Sequence, residues 1–210
     1  AEMIAAEAAD GIVLATGAGA PRGTSLALGG AYAGGLADGR TVDAFTALAD
    51  PAALGPRIAV VDTDGTAYAS GVVLSLLPHV EELEYVTPAE TAFPHVGAGY
   101  VRPILLEQLA AHSGFRRRAA HEVTGVGVGV LEVRDVLTGE AARLAGLDAV
   151  VALEPRAAVG LPGLDDPEAT VLGGTRIVRI GDALAPRGID AAIAEAVETA
   201  YAAAGLADWP

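Results

Sequence analysis

Short apolar strands separated by helix-forming stretches predict an α/β protein with a parallel sheet. Three observations carry this expectation. First, Arg57–Asp62 is a continuous apolar run closed by a carboxylate, followed by a turn, a helix former at Ala69–Leu77 and a second apolar run at Leu83–Val86. That βαβ order, with apolar strands lacking alternation, belongs to parallel sheets covered on both faces. Second, Arg176–Ile180 followed by Ile189–Ala204 gives another strand and then a strong helix at the C-terminal end. Third, 210 residues that are 52% hydrophobic can bury enough surface to offset chain entropy. A length somewhat above ~150 residues makes one or two compact units the starting expectation.

The elements follow in order. Glu2–Ala9 reads as a helix closed by Asp10-Gly11, and Ile12–Ala15 as a short strand ending at Thr16-Gly17. Residues 17–39 are rich in Gly, Ala and Ser and read as a loop with at most a short helical piece. Phe45–Leu48 has room for one helical turn before the breaks at Asp50-Pro51 and Gly55-Pro56. In the middle of the chain Thr63-Asp64-Gly65-Thr66 is a turn, and Pro78 breaks the helix at Ala69–Leu77. Pro103–His112 reads as a helix with Pro at its first position and Gly114 past its end. Arg116-Arg117-Arg118 could grip a 2′-phosphate but reads rather as a solvated turn just before a strand, and Asp165-Asp166 as another turn. Ala119–Gly125 and Val128–Val133 alternate apolar and polar residues and suggest a hairpin. Asp148–Leu153 is a strand, Pro155–Pro167 a loop, and Gly181–Gly188 the turn before the last helix. Residues 57–155 therefore read as a nearly complete small domain. The ends, residues 1–50 and 160–210, are expected to pair with each other and to need strands that this chain does not supply.

Composition excludes several classes. Thirteen basic residues, all arginine, face 27 acidic ones, a net charge of −14 that argues against a nucleic-acid surface. Aromatics at 4% leave few stacking platforms for single strands. The absence of lysine rules out a Schiff-base or P-loop lysine, and the absence of cysteine rules out disulfides and cysteine-held clusters within the chain. Apolar runs such as Val72–Leu77 fall far short of the ~20 residues that span a bilayer, and no secretory leader pattern is present. An acidic, soluble, cytoplasmic protein without nucleic-acid or membrane partners is expected. His79, His95, His112 and His121 show no metal-ligand spacing and are expected at the surface or in packing. No Ser-His-Asp order or G-x-S-x-G elbow appears, and no catalytic acid, base or nucleophile can be named.

The segment from Arg179 to Ile193 carries the strongest chemical signal. A buried strand ending in Gly181-Asp182, then a turn, then a helix start at Ile189 can seat a nucleotide. Gly181 permits close backbone approach, Asp182 can accept hydrogen bonds from sugar or ribityl hydroxyls, and the helix N-terminus favours a pyrophosphate. The same pattern also fits an ordinary strand–helix turn with Asp182 as its cap. The strand that stops at Ala15-Thr16-Gly17 places a hydroxyl and bare backbone at a sheet edge, where open α/β folds bind ligands. A plain strand end fits equally well.

Taken together, the two segments resemble the C-terminal FAD/NAD(P)-binding region of the multidomain flavin oxidoreductases that include trimethylamine dehydrogenase and 2,4-dienoyl-CoA reductase. The family's ATG strand resembles Ala15-Thr16-Gly17, and its GDA-x-x-PR-x-I segment resembles Gly181–Ile189. That family inserts a smaller nucleotide-binding-type domain between the two, matching residues 57–155, so the resemblance covers nearly the whole chain. It implies an incomplete Rossmann-like dinucleotide-binding domain. Ala15, Thr16 and Gly17 would line the adenine-nucleotide side of an FAD or ADP site, Gly181 and Asp182 would meet its sugar or pyrophosphate, and Pro186, Arg187 and Ile189 would flank the ligand. The family's opening βαβ with its G-x-G-x-x-G turn has no counterpart here, nor do its flavin-bearing barrel and cysteine-held cluster. FMN and an iron–sulfur cluster would therefore sit only in a partner subunit or upstream domain, which would also supply the missing strands in a hetero-oligomer or a longer polypeptide.

The middle unit departs from an NAD(P)H site. The place of a glycine-rich turn holds Asp62-Thr63-Asp64-Gly65-Thr66, whose two carboxylates repel a diphosphate. The next strand ends at Val86-Thr87-Pro88 without a ribose-binding acid, unless Glu90 serves. A vestigial dinucleotide fold used as scaffold is the expectation, with NAD(P)H binding disfavoured. The expected function is a nucleotide-binding part of a flavin-dependent oxidoreductase that supports electron transfer. The alternatives are a non-catalytic assembly subunit and a stand-alone NAD(P)H-binding module.

Overall fold

The computed structural model describes residues 10–19, 41–97, 99–153, 157–158, 171–172, 175–185 and 189–205. The expected helix Glu2–Ala9, most of the 17–39 loop and most of Pro155–Pro167, with its Asp165-Asp166 turn, lie outside them. The described residues fall into two units, one of residues 10–19 and those from 157 onward, the other spanning 41–153. No helix among the described residues is long and apolar enough to cross a membrane.

The larger unit is built on a five-stranded parallel sheet. Its strands are β3 (Thr41–Asp43), β4 (Arg57–Asp62), β5 (Glu82–Val86), β6 (Phe115–Arg118) and β10 (Ala149–Leu153), in the order β3-β10-β4-β5-β6. Registers such as Val60↔Tyr85 and Val60↔Val151 run parallel throughout. β4 and β10 are continuous apolar runs because both faces of the sheet are covered. On one face Ile58, Val60, Leu83, Tyr85, Val151 and Leu153 pack with helices α1 (Ala44–Ala49), α2 (Ala67–Leu76) and α3 (Val101–Ala110). On the other face Ala59, Val61, Val86, Val150 and Ala152 meet Val123, Leu131, Val133 and Leu144 of a three-stranded antiparallel sheet. That sheet is β7 (His121–Gly127), β8 (Val130–Asp135) and β9 (Ala141–Ala145), joined as a meander.

Three sequence expectations change here. Residues 41–50 belong to this unit, because β3 pairs parallel with β10 and α1 buries Ala44 and Ala47 against the same core. The insert therefore includes the chain from residue 41, rather than starting at 57. Arg116-Arg117-Arg118 is no turn but part of edge strand β6, where Arg118 Nε donates to Glu84 of β5 at 2.9 Å. Charged residues on an edge strand discourage pairing with other chains. Helix α3 starts at Val101, so Pro103 is its third residue, still within the first turn, where no intrahelical N–H is required.

The smaller unit holds β1 (Gly11–Leu14), β12 (Val171–Leu172) and β13 (Thr175–Arg179) in the order β1-β13-β12. β1 and β13 are parallel, with Gly11↔Arg176 through Leu14↔Arg179 in register, so the two ends of the chain do pair. A second ladder joins β2 (Ala18–Gly19) to β11 (Ala157–Ala158) antiparallel. A 3-10 turn over Gly181–Ala183 and the helix α4 (Ile189–Ala203) complete the unit.

Candidate nucleotide site

The two motifs sit where the sequence placed them, at the carboxyl ends of neighbouring parallel strands. β1 ends at Leu14 opposite Arg179, and the Ile180 amide then donates to the Leu14 carbonyl at 3.0 Å. Ala15, Thr16 and Gly17 continue from one strand, Gly181 and Asp182 from the next. Carboxyl ends of parallel strands are where open α/β sheets bind ligands, in the crevice left where neighbouring connections depart toward opposite sides of the sheet. Thr16 is exposed and Asp182 half-buried. Gly17 has φ +74°, and a Cβ added to it would meet nothing within 4 Å, so this strand end borders open space. Ile189 opens α4 and is exposed, whereas Pro186 and Arg187 lie outside the described residues.

Gly181 is the most constrained residue of the site. It is buried, has φ +59°, and an added Cβ would come within 3.2 Å of Ala192 Cβ on α4. Only glycine adopts that conformation at little cost, and only glycine lets the helix approach this closely. The Gly181 carbonyl accepts from the Leu184 and Ala185 amides at 2.9 and 3.1 Å. Its own amide donates to Glu195 Oε2 at 2.6 Å. Sequence reasoning did not single out Glu195, because the contact links a main-chain N–H to a side chain fourteen residues later. A residue-type motif carries no signal for that.

With Thr16 as a hydroxyl, Gly17 as bare backbone and Asp182 as a carboxylate, the donor set suits sugar hydroxyls. The Gly181 amide is committed within the chain, so it is not the group that would meet a diphosphate. A cavity of about 520 Å³ in the same unit lies toward the other ends of the strands, between Ile12, Val13, Arg176 and Val178 and the last turns of α4. It is not where the two motifs converge.

The corresponding turn in the larger unit is closed by its own side chains. Asp62 ends β4 fully buried, and its Oδ1 accepts from the Asp64 and Gly65 amides at 2.9 and 2.8 Å. Its Oδ2 accepts from the Tyr85 hydroxyl. Asp64 in turn accepts from the amide and the hydroxyl of Thr66. The His95 amide donates to the Gly65 carbonyl at 3.0 Å, and a Cβ on Gly65 would stand 2.7 Å from Pro94. The amides that would cradle a diphosphate in a dinucleotide site are spent on a buried carboxylate, and residues 93–95 pack over the turn. Burial pushes the Asp62 carboxyl above its usual range, opposed by the bonds from Tyr85, Gly65 and Asp64. Burial likewise pushes the Tyr85 hydroxyl up, and the adjacent Asp62 charge adds to it. Glu90, the one residue that could have replaced a ribose-binding acid, is exposed.

Two of the histidines make local hydrogen-bond contacts. His112 Nδ1 accepts from the Gly114 amide, and His121 Nδ1 lies 2.7 Å from the Ala119 carbonyl.

This geometry defines a Rossmann-like α/β protein of two units, a paired-terminus nucleotide-type fold carrying an inserted parallel-sheet domain. Solved structures share it. Histamine dehydrogenase from Rhizobium sp. 4-9 matches with a TM-score of 0.59 and 20% identity, over 81% of this chain and 25% of that one. The 6-hydroxypseudooxynicotine amine oxidase from Pseudomonas geniculata N1 matches with a TM-score of 0.68 and 21% identity, over 89% of this chain and 28% of that one. A 2-naphthoyl-CoA reductase, solved with 2-naphthoyl-CoA, matches with a TM-score of 0.65 and 18% identity, over 92% of this chain and 27% of that one. The chain thus spans little more than a quarter of the length of these proteins, all oxidoreductases by name. No family model and no curated protein matches the chain. At these identities the likeness shows the fold, which is the fold that the Ala15–Gly17 and Gly181–Ile189 motifs led us to expect.

Proposed function

We propose that the chain is the nucleotide-binding part of a flavin-dependent oxidoreductase, holding FAD or ADP at the carboxyl ends of β1 and β13. The observation that carries this reading is the parallel register Leu14↔Arg179, which brings the Thr16-Gly17 and Gly181-Asp182 turns to one end of one sheet. Asp182 would accept hydrogen bonds from ligand hydroxyls, while Thr16 and Gly17 would line the adenine-nucleotide side. The flavin supplies the electron transfer, and this chain contributes binding, orientation and electrostatics.

Support for a missing partner comes from the same unit. Among the described residues β1 has a strand on one side only. Helix α4 buries none of its side chains and leaves an i, i+4 row outward: Ile189 (80% exposed), Ile193 (58%), Val197 (41%) and Tyr201 (36%). An amphipathic helix whose large apolar residues face away from its own sheet is one that another layer covers. A flavin-bearing partner subunit or upstream domain that brings a strand, a G-x-G-x-x-G turn and a helix would complete the sheet beside β1.

The test is to purify the chain with that partner or upstream domain, denature it, and identify the released nucleotides by chromatography and mass. The reading expects FAD or ADP at about one per chain and a reduced occupancy in Asp182→Ala. A complete assembly that releases neither nucleotide contradicts it.

A further inference from the structure

We infer that Glu195 is the positioning residue of the nucleotide turn: its carboxylate holds the Gly181 main chain so that Asp182 is presented to the ligand. The inference rests on the nucleotide reading above and adds to it a residue from the far side of the turn. Along β13 the amides alternate in direction, and Ile180 spends its own on the Leu14 carbonyl. The next amide, that of Gly181, therefore turns toward the β12 side. On that side the ladder among the described residues reaches along β13 only to Val171↔Arg176. A buried amide must find an acceptor, and Glu195 Oε2 supplies it at 2.6 Å.

The rest of the contact fixes the turn in three places. Ala192, one turn before Glu195 on α4, would be 3.2 Å from a Cβ on Gly181, so helix and turn are in close contact. The Gly181 carbonyl is held from the other side by the Leu184 and Ala185 amides. The residue before Asp182 is thus gripped at its amide by a side chain, at its Cα by the helix surface and at its carbonyl by the turn. Of these grips, the carboxylate is the one a substitution can remove without altering the backbone. Hydrogen bonds to ionised acceptors are short and roughly twice as strong as neutral ones, so Glu195 ties the orientation of Asp182 to the position of α4.

The experiment titrates the assembled protein, freed of nucleotide, with FAD and with ADP. Glu195→Ala is expected to weaken both by roughly tenfold or more. Glu195→Gln, whose amide oxygen still accepts from Gly181, should stay within about threefold. Glu195→Asp, one methylene too short, should behave like the alanine variant and serves where that variant does not fold. The double variant Glu195→Ala with Asp182→Ala should bind no more weakly than Asp182→Ala alone, since both act through one contact. Hydrogen exchange at Gly181 without ligand should rise in the alanine variant and not in the glutamine one. Wild-type affinity in both the alanine and the aspartate variants, or additive losses in the double variant, overturns the role of Glu195 and leaves the nucleotide reading standing. A wild type that binds neither FAD nor ADP overturns both.

Discussion

The Tyr85 hydroxyl donates to Asp62 Oδ2 at 2.5 Å inside the larger unit, and neither side chain is exposed to solvent. This pair, with the Asp64 and Gly65 amides on the other oxygen, lets a carboxylate stand where a dinucleotide fold needs bare glycine backbone. The Phe93 amide donates to the same hydroxyl at 3.3 Å, so the pair also anchors the segment that packs over the turn.

Tyr85→Phe should destabilise the fold by about 1–3 kcal/mol near neutral pH, because a buried carboxylate oxygen loses its donor. The pH dependence follows from burial, which holds the Asp62 carboxyl above its ordinary value of 3.8. Between 3.8 and that raised value the native state keeps a proton the unfolded chain has released, so stability falls as pH rises through the window. The Tyr85 bond favours the ionised form. Removing it moves the window's upper end higher, and the variant's deficit grows with pH. Urea unfolding across a pH series reads this directly, and a deficit equal at every pH contradicts the coupling.

Gly114→Ala should cost more than any surface change, about 3 kcal/mol or more, since the added Cβ would fall 1.8 Å from the Glu81 carbonyl oxygen, on backbone that cannot swing aside. Gly127→Ala is the control, because its Cβ would meet nothing within 4 Å. A change in unfolding free energy of less than about 0.5 kcal/mol is expected there, read by urea unfolding. Equal effects at the two positions would mean that β5 and the turn before β6 do not pack as described.

How far the sequence could be read depended on what each segment's side chains face. β4 was legible at both ends because Ile58–Val61 is buried on both faces of the sheet and Asp62 closes the run. The Ala15–Gly17 and Gly181–Asp182 ends were legible only as breaks after short apolar runs; the strand before Gly181, expected to be buried, buries Ile177 alone, and β1 buries Leu14 alone. β6 was not, since three arginines on an exposed edge look like a solvated turn. β3 and β9 were missed because one has three residues and the other buries only Leu144, leaving no periodicity to detect. Missing β3 also misplaced the start of the insert. Asp62 was visible as a carboxylate hostile to diphosphate, but its burial and its bond to Tyr85, 23 residues away, depend on the folded sheet. Glu195 was illegible for a similar reason, as its partner is an amide.

Titration of the assembled protein with NADH should give no saturable fluorescence change at millimolar concentration, since the amides at the Asp62–Thr66 turn already have acceptors. Tight binding that is lost in Asp64→Asn would reopen the insert as a dinucleotide site.

Hydrogen exchange of the assembled protein with and without saturating ADP tests the central claim most directly. The account predicts slowed exchange in peptides covering residues 14–18 and 180–185, with residues 62–66 unchanged. Protection confined to residues 62–66, or none in either terminal segment, would contradict a nucleotide site at the paired ends of β1 and β13.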